Sequence, residues 1–379
     1  MIVEQKILLK NQWELIGSKN SLDNNKCSVV LVFGSYDKIK DESLFASLKN
    51  SYPAADIIFC STAGEIADSR TLENSVTVTA IQFDKTPVKC ISTNINKHDN
   101  SFETGKFLRS NFDNNDLKFV FVISDGMLIN GSDLVAGLNN ANSNGVLITG
   151  GLAGDGDKFE KTITSLNELP SAGNVIALGF YGEHIQLGHG SLGGWDEFGP
   201  EKIITKSDKN VLYEIDNKSA LDLYKEYLGP FKNELPGSAL LFPISITEKD
   251  DDKKIVRTIL SIDEQNKSMT FAGNMPQGSK IRLMKANFDN LINASGIAAQ
   301  NSLKTFTNPD LSILISCIGR KLVLQERVDE EITAAQNAFG SNVSITGFYS
   351  YGEISPLQTS DEGCELHNQT MTITAFKEI

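Results

Sequence analysis

Two Gly-Glu pairs carry most of the chemistry legible in this chain. Gly64-Glu65 follows the apolar run Asp56-Ile-Ile-Phe-Cys60, and Gly352-Glu353 follows the run from Asn342 to Phe348. A buried strand ending in such a pair delivers it where α/β sheets place their ligand sites. Glycine lets a ligand approach backbone N–H groups, and each glutamate supplies one anionic acceptor. Tyr349 and Tyr351 add aromatic walls with hydroxyl handles beside the second pair. The same residues also make a purely structural turn, with Glu bonding the neighbouring backbone, and both readings stand at this point. A third loop, Gly150-Gly-Leu-Ala-Gly-Asp-Gly156, brings Gly151, Gly154 and Asp155 into a flexible, anion-tolerant segment.

Cys317-Ile-Gly-Arg320 is expected to end the strand beside Gly352-Glu353. A guanidinium there can fork onto a carboxylate while Glu353 takes an ammonium. Such a pair of captors across a small gap suits a free amino acid or a similar zwitterion. The competing arrangement is an Arg320–Glu353 salt bridge that only braces the sheet. Cys317 reads as a small buried packing residue. Glu353, Arg320 and Cys317 could instead form a catalytic set acting on a small zwitterionic metabolite. No nucleophile with its base is recognisable, so the expectation is no enzyme.

Other signatures are weak or missing. Gly188-His-Gly-Ser-Leu-Gly193 matches G-x-G-x-x-G, but Gly194-Trp-Asp-Glu-Phe-Gly-Pro200 follows it and cannot start the helix that a dinucleotide site needs. Walker A, HExxH, GxSxG and EF-hand patterns are absent. The histidines are His98, His184, His189 and His367. Their spacing reads as ordinary polar surface, and no metal site is expected; a single histidine still suffices as an axial ligand to haem.

The elements that position these loops recur in one order. The first organised unit is expected from Cys27: a strand over Ser28–Phe33, a helix over Asp41–Asn50, a strand over Asp56–Cys60, the Gly-Glu loop, then a half-buried strand over Val76–Phe83. The end of the chain repeats it, with strands over Leu311–Ser316 and Asn342–Phe348, a helix over Glu326–Phe339 and a closing strand over Met371–Phe376. Thr62-Ala-Gly-Glu-Ile66 matches Ser350-Tyr-Gly-Glu-Ile354, and Val-Thr-Val-Thr-Ala matches Met-Thr-Ile-Thr-Ala. A looser copy lies between, with strands over Phe119–Ile123, Val146–Thr149 and Asn174–Tyr181 and a helix over Asp133–Asn140. Internal repetition of a β-α-β-loop-β unit follows. The glycine-rich stretch Gly182–Pro200 reads as the boundary between two domains, 27–200 and 201–379. Beyond it, a helix is expected over Lys218–Leu228, strands over Ser238–Ile246, Ile255–Ile262, Met269–Ala272 and Ile281–Met284, and a helix over Asn287–Leu303. Asp250–Lys254 reads as a hairpin tip. The fold class is therefore α/β, two domains of mixed sheets flanked by helices.

Composition bounds the partners. The 379 residues are 40% hydrophobic and 22% charged, inside the globular range, and the formal net charge of −13 repels phosphate backbones. No nucleic acid and no membrane surface is expected as a partner. Five widely spaced cysteines, Cys27, Cys60, Cys90, Cys317 and Cys364, without a CxxC pair read as reduced thiols of a cytoplasmic protein. No apolar run is long enough to span a bilayer.

Thr62–Ile66, Gly150–Gly156, Gly194–Pro200, Ile315-Ser-Cys-Ile-Gly-Arg320 and Gly347-Phe-Tyr-Ser-Tyr-Gly-Glu-Ile-Ser-Pro356 occur in this order. The chain thereby resembles a FIST protein of the bacterial stand-alone type, with FIST N and FIST C domains in tandem. The resemblance implies a sensory input module of signal transduction that binds a small polar ligand such as an amino acid. It marks Gly64, Glu65, Gly151, Gly154, Asp155, Trp195, Cys317, Arg320, Tyr349, Gly352 and Glu353 as the positions characteristic of the family. With no output domain in the chain, it implies a separate signalling partner such as a histidine kinase or a cyclase. It also raises a haem b-containing nitric-oxide sensor regulating a partner histidine kinase. His184 and His189 would then be the candidate axial ligands.

Overall fold

The computed structural model describes residues 1–18, 22–247, 254–356 and 363–379. Three six-stranded mixed sheets correspond to the three repeats. In each, the strand before the crossover helix pairs in parallel with the strand after it and antiparallel with the returning strand. Val29–Gly34 lies between Asp56–Ser61 and Val76–Gln82. Leu117–Ser124 lies likewise between Leu147–Leu152 and Asn174–Tyr181, and Leu311–Cys317 between Ser344–Ser350 and Met371–Glu378.

Alternation along these first strands explains why each is mostly apolar along its length. Val29, Leu31 and Phe33 face a central core, together with Phe119, Phe121 and Ile123 of the second repeat and Leu311, Ile313 and Ile315 of the third. Val30 and Val32 point outward to Leu44 and Leu48 of the helix Glu42–Ser51. Val120, Val122 and Leu314 likewise face the helices of their own repeats. Both faces of each sheet are therefore covered. Aromatic rings join the repeats across the centre: Phe33 to Phe348 at 4.8 Å between centroids, and Phe119 to Phe376 at 5.6 Å.

The sheets also exchange strands. The strand after each glycine loop leaves its own repeat. Glu65–Ala67 pairs antiparallel with Ser344–Ser350 of the third repeat, Gly352–Ser355 with Leu147–Leu152 of the second, and Thr164–Leu166 with Asp56–Ser61 of the first. First to third, third to second, second to first, the exchange closes a ring.

Several expectations are corrected. Order starts at Ile2, not Cys27: Ile2–Leu9 pairs with Val76–Gln82 and forms a hairpin with Gln12–Ser18. Its inward residues alternate with charged ones, as in Val3, Gln5 and Ile7, a period-2 pattern. Val76–Gln82 is buried throughout, not half-buried, because Thr79 faces another repeat and donates to Thr346 Oγ1 at 2.9 Å. The stretch read as a glycine-rich boundary holds the strand Ile185–Leu192, paired along its length with Met371–Glu378. Gly188 and Gly190 belong there because a Cβ at either would lie about 2 Å from the Ser302 or Ala298 carbonyl oxygen of the helix Phe288–Ser302. The G-x-G-x-x-G match is thus a packing feature of a strand.

Between that strand and that helix the chain builds an eight-stranded sheet with its own core around Ile204, Tyr224 and Phe271. Residue 200 falls inside its first strand, Asp196–Asp208. The expected strand Ser238–Ile246 is a 3-10 turn, Gly237–Leu241, followed by Ile244–Thr247. Ile255–Ile262 splits into Lys254–Arg257, paired with Ile244–Thr247, and Ile259–Asp263, paired with Ser268–Phe271. Of the expected hairpin tip, residues 250–253 lie outside the described residues.

Phe348→Ala should lower unfolding free energy by about 3–5 kcal/mol. If the shared core makes the three repeats one cooperative unit, the loss appears as a single shifted transition in denaturant melts. A separate early transition would show that the repeats melt independently.

Candidate functional site

The three glycine loops meet and bond one another through their backbones. Ala63 N donates to Tyr349 O at 2.8 Å, and Tyr349 N to Gly64 O at 2.8 Å. Tyr351 N donates to Leu152 O at 3.2 Å. Gly154 N donates to Ser61 O at 2.9 Å and Gly156 N to Thr62 O at 3.2 Å. Every side of the triangle is bonded.

The two Gly-Glu loops fold alike. Glu65 accepts from Thr62 Oγ1 at 2.6 Å and from Ser75 Oγ at 2.5 Å. Glu353 accepts from Ser350 Oγ at 2.6 Å, and from the Thr370 hydroxyl and amide at 2.9 and 3.2 Å. Both are fully buried. Loss of hydration outweighs these donors and raises the carboxyls, Glu65 to about 7 and Glu353 to about 8. Each glutamate is thus held by its own loop and returning strand.

Arg320 forms its ion pair with Glu331, so the competing Arg320–Glu353 salt bridge is not formed. It lies in a short helix, Ile318–Leu324, rather than at the strand end, with its guanidinium fully buried. Nε and Nη2 donate to Glu331 Oε2 at 3.0 and 2.8 Å. Nη2 also reaches Leu291 O and Ser295 Oγ, and Nη1 the carbonyls of Gly193 and Gln369. No donor is left for an outside carboxylate. Glu331 also accepts from Tyr349 Oη at 2.8 Å and Ser316 Oγ at 3.0 Å. Trp195 Nε1 donates to Gln369 O at 2.9 Å. Burial pushes the Cys317 thiol up, which suits packing rather than reactivity. Trp195, Cys317, Arg320 and Tyr349 are therefore buried around the third sheet and its helices, and Glu353 lies on the strand exchanged into the second.

Gly64, Glu65 and Asp155 come together elsewhere. They line a cavity of about 310 Å³ over the first loop, with Ser35, Asp37, Glu73, Asp157, Lys158 and Lys321. Tyr351 orders one wall: its hydroxyl donates to the Asp155 carboxylate and accepts from the Asp155 and Phe159 amides, both at 3.1 Å. The other Asp155 oxygen accepts from the Glu160 and Lys161 amides. Gly151 stays behind, paired with Glu353 in the exchanged ladder. Lys321 was not singled out from the sequence, since the segment after Cys317 carries no helical signal of useful length. Its Nζ donates to Ala63 O at 2.7 Å, reaches Glu73 Oε1 at 2.6 Å and lies 5.6 Å from the Tyr349 ring centroid. Gly64, with φ +132°, leaves room for it: a Cβ there would lie 2.8 Å from Nζ.

None of the four histidines lines this cavity. His184 is exposed, His189 sits in a strand ladder opposite Thr374, and His367 bonds Ser355 O at 2.9 Å. His98 bonds Thr93 Oγ1. These positions do not fit an axial ligand to a haem seated over the loops. Among the described residues no group of three or more His, Cys, Asp or Glu is arranged for a metal ion, and no helix is long and apolar enough to cross a membrane.

Arg320→Ala leaves Glu331 buried and uncompensated and should cost about 3–5 kcal/mol in denaturant melts. Adding Glu331→Gln should recover part of that loss, and a single variant as stable as the parent would contradict the bracing role. A second expectation concerns pH. Glu65 and Glu353 titrate above the ordinary glutamate value, so their contribution is full below about 4.5 and is lost as pH rises through about 7 and about 8. Glu353→Gln should flatten the stability profile over the upper part of that window. An unchanged slope would count against the raised value.

The FIST N domain family model matches residues 28–218 and the FIST C domain model residues 220–356. No curated protein matches the chain. FIST domains serve sensing in signal transduction, and with both domains in tandem over most of its length this chain belongs to the FIST family.

Proposed function

We propose that the chain is a non-enzymatic cytoplasmic sensor that binds a small polar ligand, such as an amino acid, and signals to a separate partner of the histidine kinase or cyclase kind. The observation that carries this reading is the cavity over the first glycine loop. Its volume of about 310 Å³ is at the lower end for small-molecule sites and suits a ligand of a few heavy atoms. Lys158 and Lys321 stand on its lining with Asp37, Glu73 and Asp157, so one molecule can meet both signs of charge. That pairing replaces the Arg320–Glu353 pair as the zwitterion captor. A ligand there touches the first and second loops and the helix Ile318–Leu324 together. It can therefore alter how the repeats are held relative to one another.

The test is a thermal-shift screen of the common amino acids followed by calorimetry on any that stabilise. A ligand at about a hundred times its Kd adds about 2.7 kcal/mol to stability, an easily measured shift. Lys158→Ala and Asp157→Asn, both at exposed positions, should each weaken binding about tenfold without lowering the ligand-free Tm. No stabilisation by any amino acid would overturn the ligand class. Undiminished binding in both variants would overturn the cavity.

A further inference from the structure

A second cavity, of about 530 Å³, lies between the second repeat and the eight-stranded sheet. One side is the segment Gly126–Gly131 that leads into the helix Gly131–Asn140, and the other is formed by the strands Ile259–Asp263 and Ser268–Phe271. Its lining differs from the first cavity's in charge. Among the described residues no Asp, Glu, Lys, Arg or His lines it, and its polar groups are neutral amides and hydroxyls such as Asn210, Ser261 and Thr270. Met127, Leu128 and Leu260 on its lining are 40, 58 and 42% exposed, large apolar side chains left facing water. Such exposure grouped at one concavity marks a binding surface.

The cavity also holds a fixed aromatic platform. Phe159 stacks on Tyr351 with ring centroids 4.4 Å apart and planes 17° from parallel. Phe159 adopts φ +54°, a left-handed conformation that a bulky side chain seldom takes. Tyr351 holds it there by accepting the Phe159 amide, and Asp155 secures the following turn. The ring pair is therefore set before anything binds.

We propose that this cleft is a second ligand site, for a neutral, flat organic molecule that lies against the Phe159–Tyr351 pair under Leu260. Charged ligands are disfavoured because no described residue of the lining offers a counter-ion for a charge taken out of water. The shape of the lining sets the class: aromatic or fused-ring, with at most a polar edge toward Ser261 and Thr270. This site does not depend on the polar ligand assigned to the first cavity, and it is tested without one.

The probe is N-phenyl-1-naphthylamine, an uncharged dye that brightens in apolar surroundings, titrated into the full chain. Saturable brightening is expected, displaced by indole and not by indole-3-acetate. Leu260→Asp places a carboxylate at an exposed position of the lining, and Phe159→Ala removes half of the platform. Each should weaken the probe about tenfold or more. Brightening that does not saturate, or that survives both Leu260→Asp and Phe159→Ala, would overturn the site. Equal displacement by indole-3-acetate would overturn the neutral ligand class.

Discussion

The whole arrangement hangs on the backbone triangle among three glycine loops. Five amide-to-carbonyl bonds join loops that are far apart in sequence, and each loop then hands its next strand to a neighbouring sheet. Backbone groups buried at this depth need partners, and here each repeat supplies them to the next. The sheets cannot separate without exposing a row of unpaired amides as well as the aromatic core behind them. Any ligand seated over the first loop therefore presses on a place where all three repeats are joined.

Buried carboxylates stabilise this junction in two different ways. Glu331 meets a guanidinium, and the charges compensate each other within a fully buried pair. Glu65 and Glu353 meet only hydroxyl and amide donors, so desolvation dominates and both hold protons more strongly than a free glutamate. The first case fixes the packing of two helices against the third sheet. The second leaves titratable groups at matching corners of the ring, one of them facing a cavity.

Much of the fold was legible because the repeats keep both their order and their turn chemistry. Strand–helix–strand units with Gly-Glu endings could be matched across the chain, and the runs Ser28–Phe33 and Leu311–Ser316 read correctly as strands. The strand exchange was not legible, since nothing in Glu65–Ala67 says which sheet it joins. Gly188 and Gly190 looked like loop residues because glycine serves close packing and turns equally. The site was legible in its loops and not in its partners. Arg320 and Glu353 are neighbours along the fold, but Glu331, one helical turn into Val328–Phe339, claims the guanidinium. Lys321 is adjacent to Arg320 in sequence, and only the direction of a short helix decides which of the two faces the cavity.

Strand exchange also sets the order in which the protein can be completed as it is made. Glu65–Ala67 is made well before its partner strand Ser344–Ser350. Until then the first repeat has an unfilled edge and an exposed aromatic face meant for the central core. Pairings of such long sequence separation form slowly and leave open edges in the meantime. The first two repeats therefore keep an open edge until the strand Ser344–Ser350 of the third has been made.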